Sequence, residues 1–213
     1  SLSAVLASGF TAAWTPIAAQ GYRLEACDSA ACDGSVSFSS TSNGSASGLS
    51  LSGLAPDTTY YLRAGGLTHD GRRNLGGVFK ATATLAAALT PAVAAVYTAS
   101  VTASWTPTAS QGYQVQASTA GDFTGTLHST ATEVSALGSL TVLSPALLAN
   151  TTYYLRLGAV NHNGVPNFGA AASTPTAALA PQALTPAVLM VAETSATWNW
   201  AARPAAPPDQ TAE

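Results

Sequence analysis

Charge is what this sequence has least of. Asp, Glu, Lys and Arg together make 8 % of its 213 residues, against about 25 % in ordinary soluble domains. Lysine occurs once, at Lys80, and the formal net charge is −3. Nucleic-acid binding depends on a basic patch that releases phosphate counterions, so that partner class is excluded. Long apolar runs are missing too. Ser, Thr, Pro or Gly interrupts every stretch before it reaches the roughly 20 residues of a membrane-spanning helix, and membrane insertion is not expected. The start, Ser1-Leu-Ser-Ala, lacks the basic and apolar regions of a secretory leader, as a mature or excised segment would.

Scarce charge does not imply disorder here. Disordered chains combine high net charge with few β-branched and aromatic residues, whereas 47 % of this chain is apolar. Solubility must come from hydroxyls and amides. Cysteine is also scarce, with Cys27 and Cys32 in Ala-Cys27-Asp-Ser-Ala-Ala-Cys32-Asp-Gly. That spacing is not Cys-x-x-Cys, and no second pair completes a zinc site. The expected state is a local disulfide formed in an oxidising compartment, with a metal or redox pair as the alternative.

What is abundant is repetition. Trp14-Thr-Pro16 returns as Trp105-Thr-Pro107, and Gln20-Gly-Tyr22 as Gln111-Gly-Tyr113, both at an offset of 91. Leu54-Ala-Pro56-Asp-Thr58-Thr-Tyr60 returns as Leu147-Leu-Ala-Asn-Thr151-Thr-Tyr153 at an offset of 93, so the second copy carries two extra residues. A third copy begins with Leu184-Thr-Pro-Ala-Val188, matching Leu89-Thr-Pro-Ala-Val93, and places Trp200 opposite Trp105. It stops soon afterwards, in Arg203-Pro-Ala-Ala-Pro-Pro208. A period of this size marks a tandem array. The expected units are 1–86, 87–180, and a linker with an incomplete third repeat over 181–213.

Within each copy the periodicity is two. Val101-Thr-Ala-Ser-Trp105, Tyr113-Gln-Val-Gln-Ala117 and Tyr153-Tyr-Leu-Arg-Leu157 alternate as half-buried antiparallel strands do. Tyr60, Leu62, Tyr153 and Leu155 share one face, and Arg63 and Arg156 take the other. Asp33-Gly, Asn43-Gly, Asp70-Gly71 and Asn163-Gly164 supply the turns. Short strands at regular spacing predict an all-β sandwich in each copy. The connectors at 84–91 and 176–186 contain proline and few polar side chains, which predicts semi-rigid linkers.

The order tryptophan, then tyrosine on the next strand, then Leu-x-Pro-x-Thr-x-Tyr resembles the fibronectin type III family. The first copy holds Leu54, Pro56, Thr58 and Tyr60; the second keeps Leu147, Thr151 and Tyr153 but has Ala149 for proline. No cysteine stands where an antibody-type domain would need its second, since Leu62 and Leu155 occupy that strand. The low-charge, Ala/Thr/Ser-rich style is similar to repeats of large bacterial surface proteins. The resemblance implies tandem seven-stranded, immunoglobulin-like sandwiches with sheets A-B-E and C-C′-F-G. It implies that Tyr60 and Tyr153 form tyrosine corners, and that Trp14, Tyr22, Trp105 and Tyr113 belong to the cores.

A search for chemistry finds little. His69 and His162 hold equivalent places before the F–G turn of separate copies, and His128 has no acid nearby in sequence; all three are expected as exposed polar turn residues. No phosphate loop or cofactor motif is present. Asp28 and Asp33 flank the cysteine loop, but two carboxylates are too few for calcium. The candidate ligand loop is Thr68-His69-Asp70-Gly71-Arg72-Arg73-Asn74, which holds two of six arginines at a sandwich end, where such folds recognise partners. The reading is therefore a non-catalytic, secreted or cell-surface segment, a spacer or adhesive stalk in a larger surface or filament protein. The alternative is a recognition module for carbohydrate or protein. Partners would be other domains of the same protein, or neighbouring copies through the third repeat. That repeat belongs to a longer array, packs on the second copy, or completes a neighbour's sandwich.

Overall fold

The computed structural model describes residues 1–143, 145–181 and 183–200, and every regular element among them is a β-strand. In the first copy, β1 (Leu2–Leu6), β2 (Gly9–Ala13) and β5 (Gly48–Ser52) form one antiparallel sheet, ordered β1-β2-β5. The second sheet is β4 (Val36–Thr41), β3 (Gly21–Cys27) and β6 (Thr59–Leu67), with β7 (Arg73–Leu75) and β8 (Lys80–Ala83) both pairing with β6. The second copy repeats the arrangement. There β9 (Ala92–Val96), β10 (Val101–Ser104) and β13 (Ser139–Val142) form the smaller sheet. Its larger sheet holds β11 (Gly112–Ser118), β12 (Leu127–Thr132), β14 (Thr152–Val160), β15 (Pro166–Phe168) and β16 (Ala172–Pro175). In letters these are A-B-E and C′-C-F-G, the strand order of a fibronectin type III sandwich. Strand G is broken in both copies: its two halves, β7 with β8 and β15 with β16, each pair with strand F.

Alternation decides which side chains meet between the sheets. Leu24, Ala26 and Leu62 from one sheet close on Phe10, Ala12 and Leu51 from the other. In the second copy Tyr113, Val115, Ala117, Leu155 and Leu157 close on Val101, Ala103 and Val142. The tryptophans do not fill these cores. Trp14 and Trp105 are only partly buried and pack against the cluster edges. Two inward-facing positions earlier along the chain, Phe10 and Val101 are fully buried. Each tryptophan instead leans on the tyrosine of the next strand, with ring centroids 5.3 Å apart for Trp14 and Tyr22 and 4.9 Å for Trp105 and Tyr113. The tyrosine hydroxyls then clasp the B–C loop: Tyr22 accepts from Ile17 N and donates to Ile17 O, both at 2.8 Å, and Tyr113 does the same at Thr108.

Gln-Gly-Tyr recurs for a related reason. A Cβ on Gly21 would lie 2.0 Å from Thr41 O, and one on Gly112 2.1 Å from Thr132 O, so strand C can approach C′ only without a side chain there. Both tyrosine corners are present. Tyr60 and Tyr153 hydroxyls accept from the backbone N–H of Ala55 and Leu148, five residues upstream, each at 3.1 Å. The two extra residues of the second copy lie between Val142 and Leu147, since Leu51 and Val142 pair equivalently with Phe10 and Val101. The backbone carbonyl of Pro145 in that stretch lies 3.1 Å from Nδ1 of His128. His128 is therefore buried, edge-on to Tyr153 at 5.7 Å, not an exposed turn residue.

The third repeat contributes the hairpin β17 (Ala183–Ala192) and β18 (Ser195–Trp200), antiparallel to each other. Val191, Trp198 and Trp200 are exposed. The Arg203–Pro208 tail lies outside the described residues.

Candidate functional site

Three clusters of polar side chains stand out; the expected loop forms one of them and lends Arg73 to a second. The F–G turn of the first copy closes through Thr68 N–H to Arg72 O at 2.9 Å and Gly71 N–H to Thr68 O at 3.0 Å. Gly71 has φ +75, which the turn requires. The loop side chains diverge. His69 Nε2 lies 3.0 Å from Gln20 Nε2 on the B–C loop, while Arg72 pairs with Asp70 at 3.0 Å in open solvent. Arg73 turns back along the sheet to Glu25, at 3.1 Å. The Thr68 hydroxyl donates to Asp70 and holds its carboxyl below the usual range. Arg72 and Asp70 are too exposed for this pair to contribute measurable stability.

Cys27 and Cys32 are disulfide-bonded at the end of strand C, where Asp33 accepts from the Ser29 hydroxyl at 2.6 Å and Asp28 from Ser35 N–H at 3.1 Å. Both carboxylates are used within the loop. No group of three or more potential metal ligands occurs among the described residues.

The second cluster was not expected from the sequence. Glu25 projects from the outer face of β3, yet its side chain is fully buried. Arg23 Nε donates to Oε1 at 2.6 Å and Arg63 Nε to Oε2 at 2.8 Å, and Arg73 adds the third contact. Arg23 also covers the ring of Phe38, 3.5 Å from its centroid. Burial alone would raise the Glu25 pKa, but the hydrogen bonds and charges of Arg63 and Arg23 outweigh it and hold the carboxyl below the ordinary range. The second copy has the neutral counterpart, Arg156 Nε donating to Gln116 Oε1 at 2.7 Å, with Arg156 between Phe123 and Phe168.

The third cluster joins the two sandwiches. Asp57 occupies the E–F corner of the first copy with φ 49, a left-handed conformation that Asp and Asn tolerate. Its side chain is 3 % exposed. Oδ1 accepts from His162 N–H at 2.8 Å and lies 2.9 Å from His162 Nδ1; Oδ2 accepts from Gln111 Nε2 at 3.0 Å. Beside it Asn161, buried, donates to Thr84 O at 3.0 Å, Asn163 donates to the Thr82 hydroxyl at 2.8 Å, and Asn167 donates to Ala86 O at 2.7 Å. Leu89 then bridges to Leu157 and Phe168. His162, expected as a free turn residue, is thus a junction residue. The connector at 84–91 is likewise seated on the second sandwich.

None of these clusters has the nucleophile–base geometry of a hydrolase. Among the described residues, no helix is long and apolar enough to cross a membrane. No known family profile matches the sequence, and no curated protein matches it. Solved structures align with it at low overall similarity. A two-domain fibronectin type III segment of chicken tenascin aligns over 83 % of this chain and 97 % of its own, with 16 % identity and a TM-score of 0.45. The FN1–FN3 domains of chicken CNTN1 align over 83 % of this chain and 64 % of theirs, with 15 % identity and a TM-score of 0.39. A fibronectin type III domain of human collagen XX aligns over 44 % of this chain and all of its own, with 20 % identity and a TM-score of 0.34. The chain is built as tandem fibronectin type III-like sandwiches, a statement that stands on its own strand order and tyrosine corners.

Proposed function

We propose that this chain is a non-catalytic extracellular spacer whose work is geometric: it holds neighbouring domains at a set distance and orientation. The Asp57 junction carries this reading. A connector that only tethers would leave the facing loops solvated. Here a carboxylate 3 % exposed takes three donor contacts from the next sandwich, and Asn161 is buried to reach Thr84 O. Hydrogen bonds to a charged group contribute about 1.5–3 kcal/mol each. The Cys27–Cys32 disulfide supports an oxidising, extracytoplasmic setting.

Asp57→Ala is expected to uncouple the two sandwiches while leaving both folded. Residual dipolar couplings should fit one alignment tensor in the natural chain and two in the variant. Two tensors in the natural chain would remove the spacer reading, because nothing would then fix the orientation; a single tensor in both would show that the junction holds without Asp57.

A second reading, recognition of an acidic glycan or protein, is favoured by one observation. Arg72 and Arg73 stand side by side on the F–G loop at one end of the first sandwich. The Arg72 and Arg73 side chains are 86 % and 58 % exposed. On an array of sulfated and carboxylated glycans, the natural chain is expected to bind and the Arg72→Ala/Arg73→Ala variant to lose most of that signal. Absence of binding by the natural chain would leave the loop as a polar turn.

A further inference from the structure

The junction surface recurs at the opposite end of the first sandwich. Gln20 stands where the second copy has Gln111, at the 91-residue offset. His69, Asn74, Leu75 and Gly76 stand where it has His162, Asn167, Phe168 and Gly169, at the 93-residue offset. The side chains are arranged alike: Gln20 Nε2 is 3.0 Å from His69 Nε2, and Gln111 Nε2 is 3.3 Å from His162 Nε2. Ala64 takes the place of Leu157.

In the second sandwich this surface is covered. Asp57 sits on Gln111 and His162, Ala86 O receives the Asn167 amide, and Leu89 lies across Leu157 and Phe168. The approach is close enough that a Cβ on Gly169 would fall 2.2 Å from Leu89 O. In the first sandwich the equivalent surface is an open groove of about 650 Å³, lined by Gln20, Ala64, His69, Asn74, Leu75 and Gly76 among others.

We propose that this groove is a docking seat for a further sandwich of the same build. The seat takes the corner carboxylate of the incoming E–F turn on Gln20 and His69, and the segment after its strand G along Ala64, Leu75 and Asn74. The chemistry matches at each point. The seat offers the His69 N–H, the Gln20 amide and the Asn74 amide, the counterparts of the His162, Gln111 and Asn167 donors that hold Asp57 and Ala86 O at the junction already formed. Where Asn163 donates to the Thr82 hydroxyl, the first copy presents Asp70, and an incoming hydroxyl serves as donor instead of acceptor. Two positions differ in the other direction. Thr68 stands for Asn161 and spends its hydroxyl on Asp70 and Arg72 O, so one cross-junction bond is missing. Leucine and alanine replace Phe168 and Leu157, which widens the groove. The seat therefore holds its occupant less tightly than the Asp57 junction does.

The choice of occupant rests on the spacer reading, and the test separates the two. Residues 1–91 are placed directly ahead of Ser1 of the full chain. This reproduces the natural spacing, because Val5 and Val96 hold equivalent registers opposite Phe10 and Val101. Amide exchange at His69, read by NMR, is expected to slow by about tenfold or more in the extended chain, as local opening becomes coupled to undocking. Asp57→Ala in the added copy alone should restore the original rate. Equal His69 exchange in the extended and original chains would overturn the seat, as would slowing that survives Asp57→Ala. His162 exchange, followed in the same samples, reports the existing junction. Protection at His162 without protection at His69 would sink the docking seat and leave the spacer reading intact.

Discussion

Phe10→Ala is expected to lower the stability of the first sandwich by about 3–5 kcal/mol, more than Trp14→Ala, although tryptophan is the larger side chain. The difference comes from where the two sit. Phe10 is fully buried, pairs with Leu51 across the sheet and meets Tyr60 edge-on with centroids 6.2 Å apart. Truncation there opens a cavity that the facing Leu24 and Leu62 cannot close. Trp14 lies at the rim, already partly in water, and its indole N–H is bonded to Ala46 O at 3.0 Å. Removing it lets solvent enter instead of leaving a void. Urea unfolding of both variants, with the second sandwich as internal reference, would read the difference. A larger loss for Trp14→Ala would show that the tryptophan, not Phe10, is the central core residue. A loss of this size is a large share of the 5–15 kcal/mol that holds an ordinary domain together.

Glu25→Ala is expected to cost about 3 kcal/mol, at the lower end of what breaking a buried ion pair costs. The side chain is fully buried against three guanidinium groups, and its removal leaves Arg23 and Arg63 facing each other without an anion. The lower end applies because those arginines, at 17 % and 24 % exposure, retain some water. The pH dependence follows from the direction of the Glu25 shift. Its folded pKa lies below the unfolded one. The stabilisation is thus fully present above the ordinary glutamate pKa of about 4.3 and is lost as pH falls through the folded value. Denaturant midpoints measured from neutral pH downward should fall more steeply in the natural chain than in Glu25→Gln. Parallel acid profiles would show that the three arginines do not depend on this carboxylate.

Much of the architecture was legible because it was written twice. Trp-Thr-Pro, Gln-Gly-Tyr and the Leu-x-Pro-x-Thr-x-Tyr run each serve a local purpose: a rim aromatic, a glycine at a close strand approach, a corner hydroxyl. Local purposes leave local signatures. The places where expectation failed are those where a side chain's partner lies far along the chain. His128 reads as a turn residue until Pro145, 17 positions on, supplies its carbonyl. Trp14 and Trp105 are placed in the cores by the family resemblance, but a position on an inward strand face gives a face and not a depth. Asp57 sits at a variable position of the corner motif, and its partner His162 is 105 residues away. The one available signal was that His69 and His162 recur at the same place in both copies, which marked them as part of the repeat without saying what they contact.

Sequence alone determined the all-β class, the sandwich in each copy and the phase of the repeat. These follow from alternation, turn residues and motif spacing, all of which act over a few residues. Tertiary structure decided which polar residues matter. It buried Glu25 among arginines from three strands, and it set the corner carboxylate of one sandwich on the loops of the next. It also left the matching loops of the first sandwich open. A charge becomes a structural element only when burial removes its water, and burial depends on which distant segments the fold brings against it.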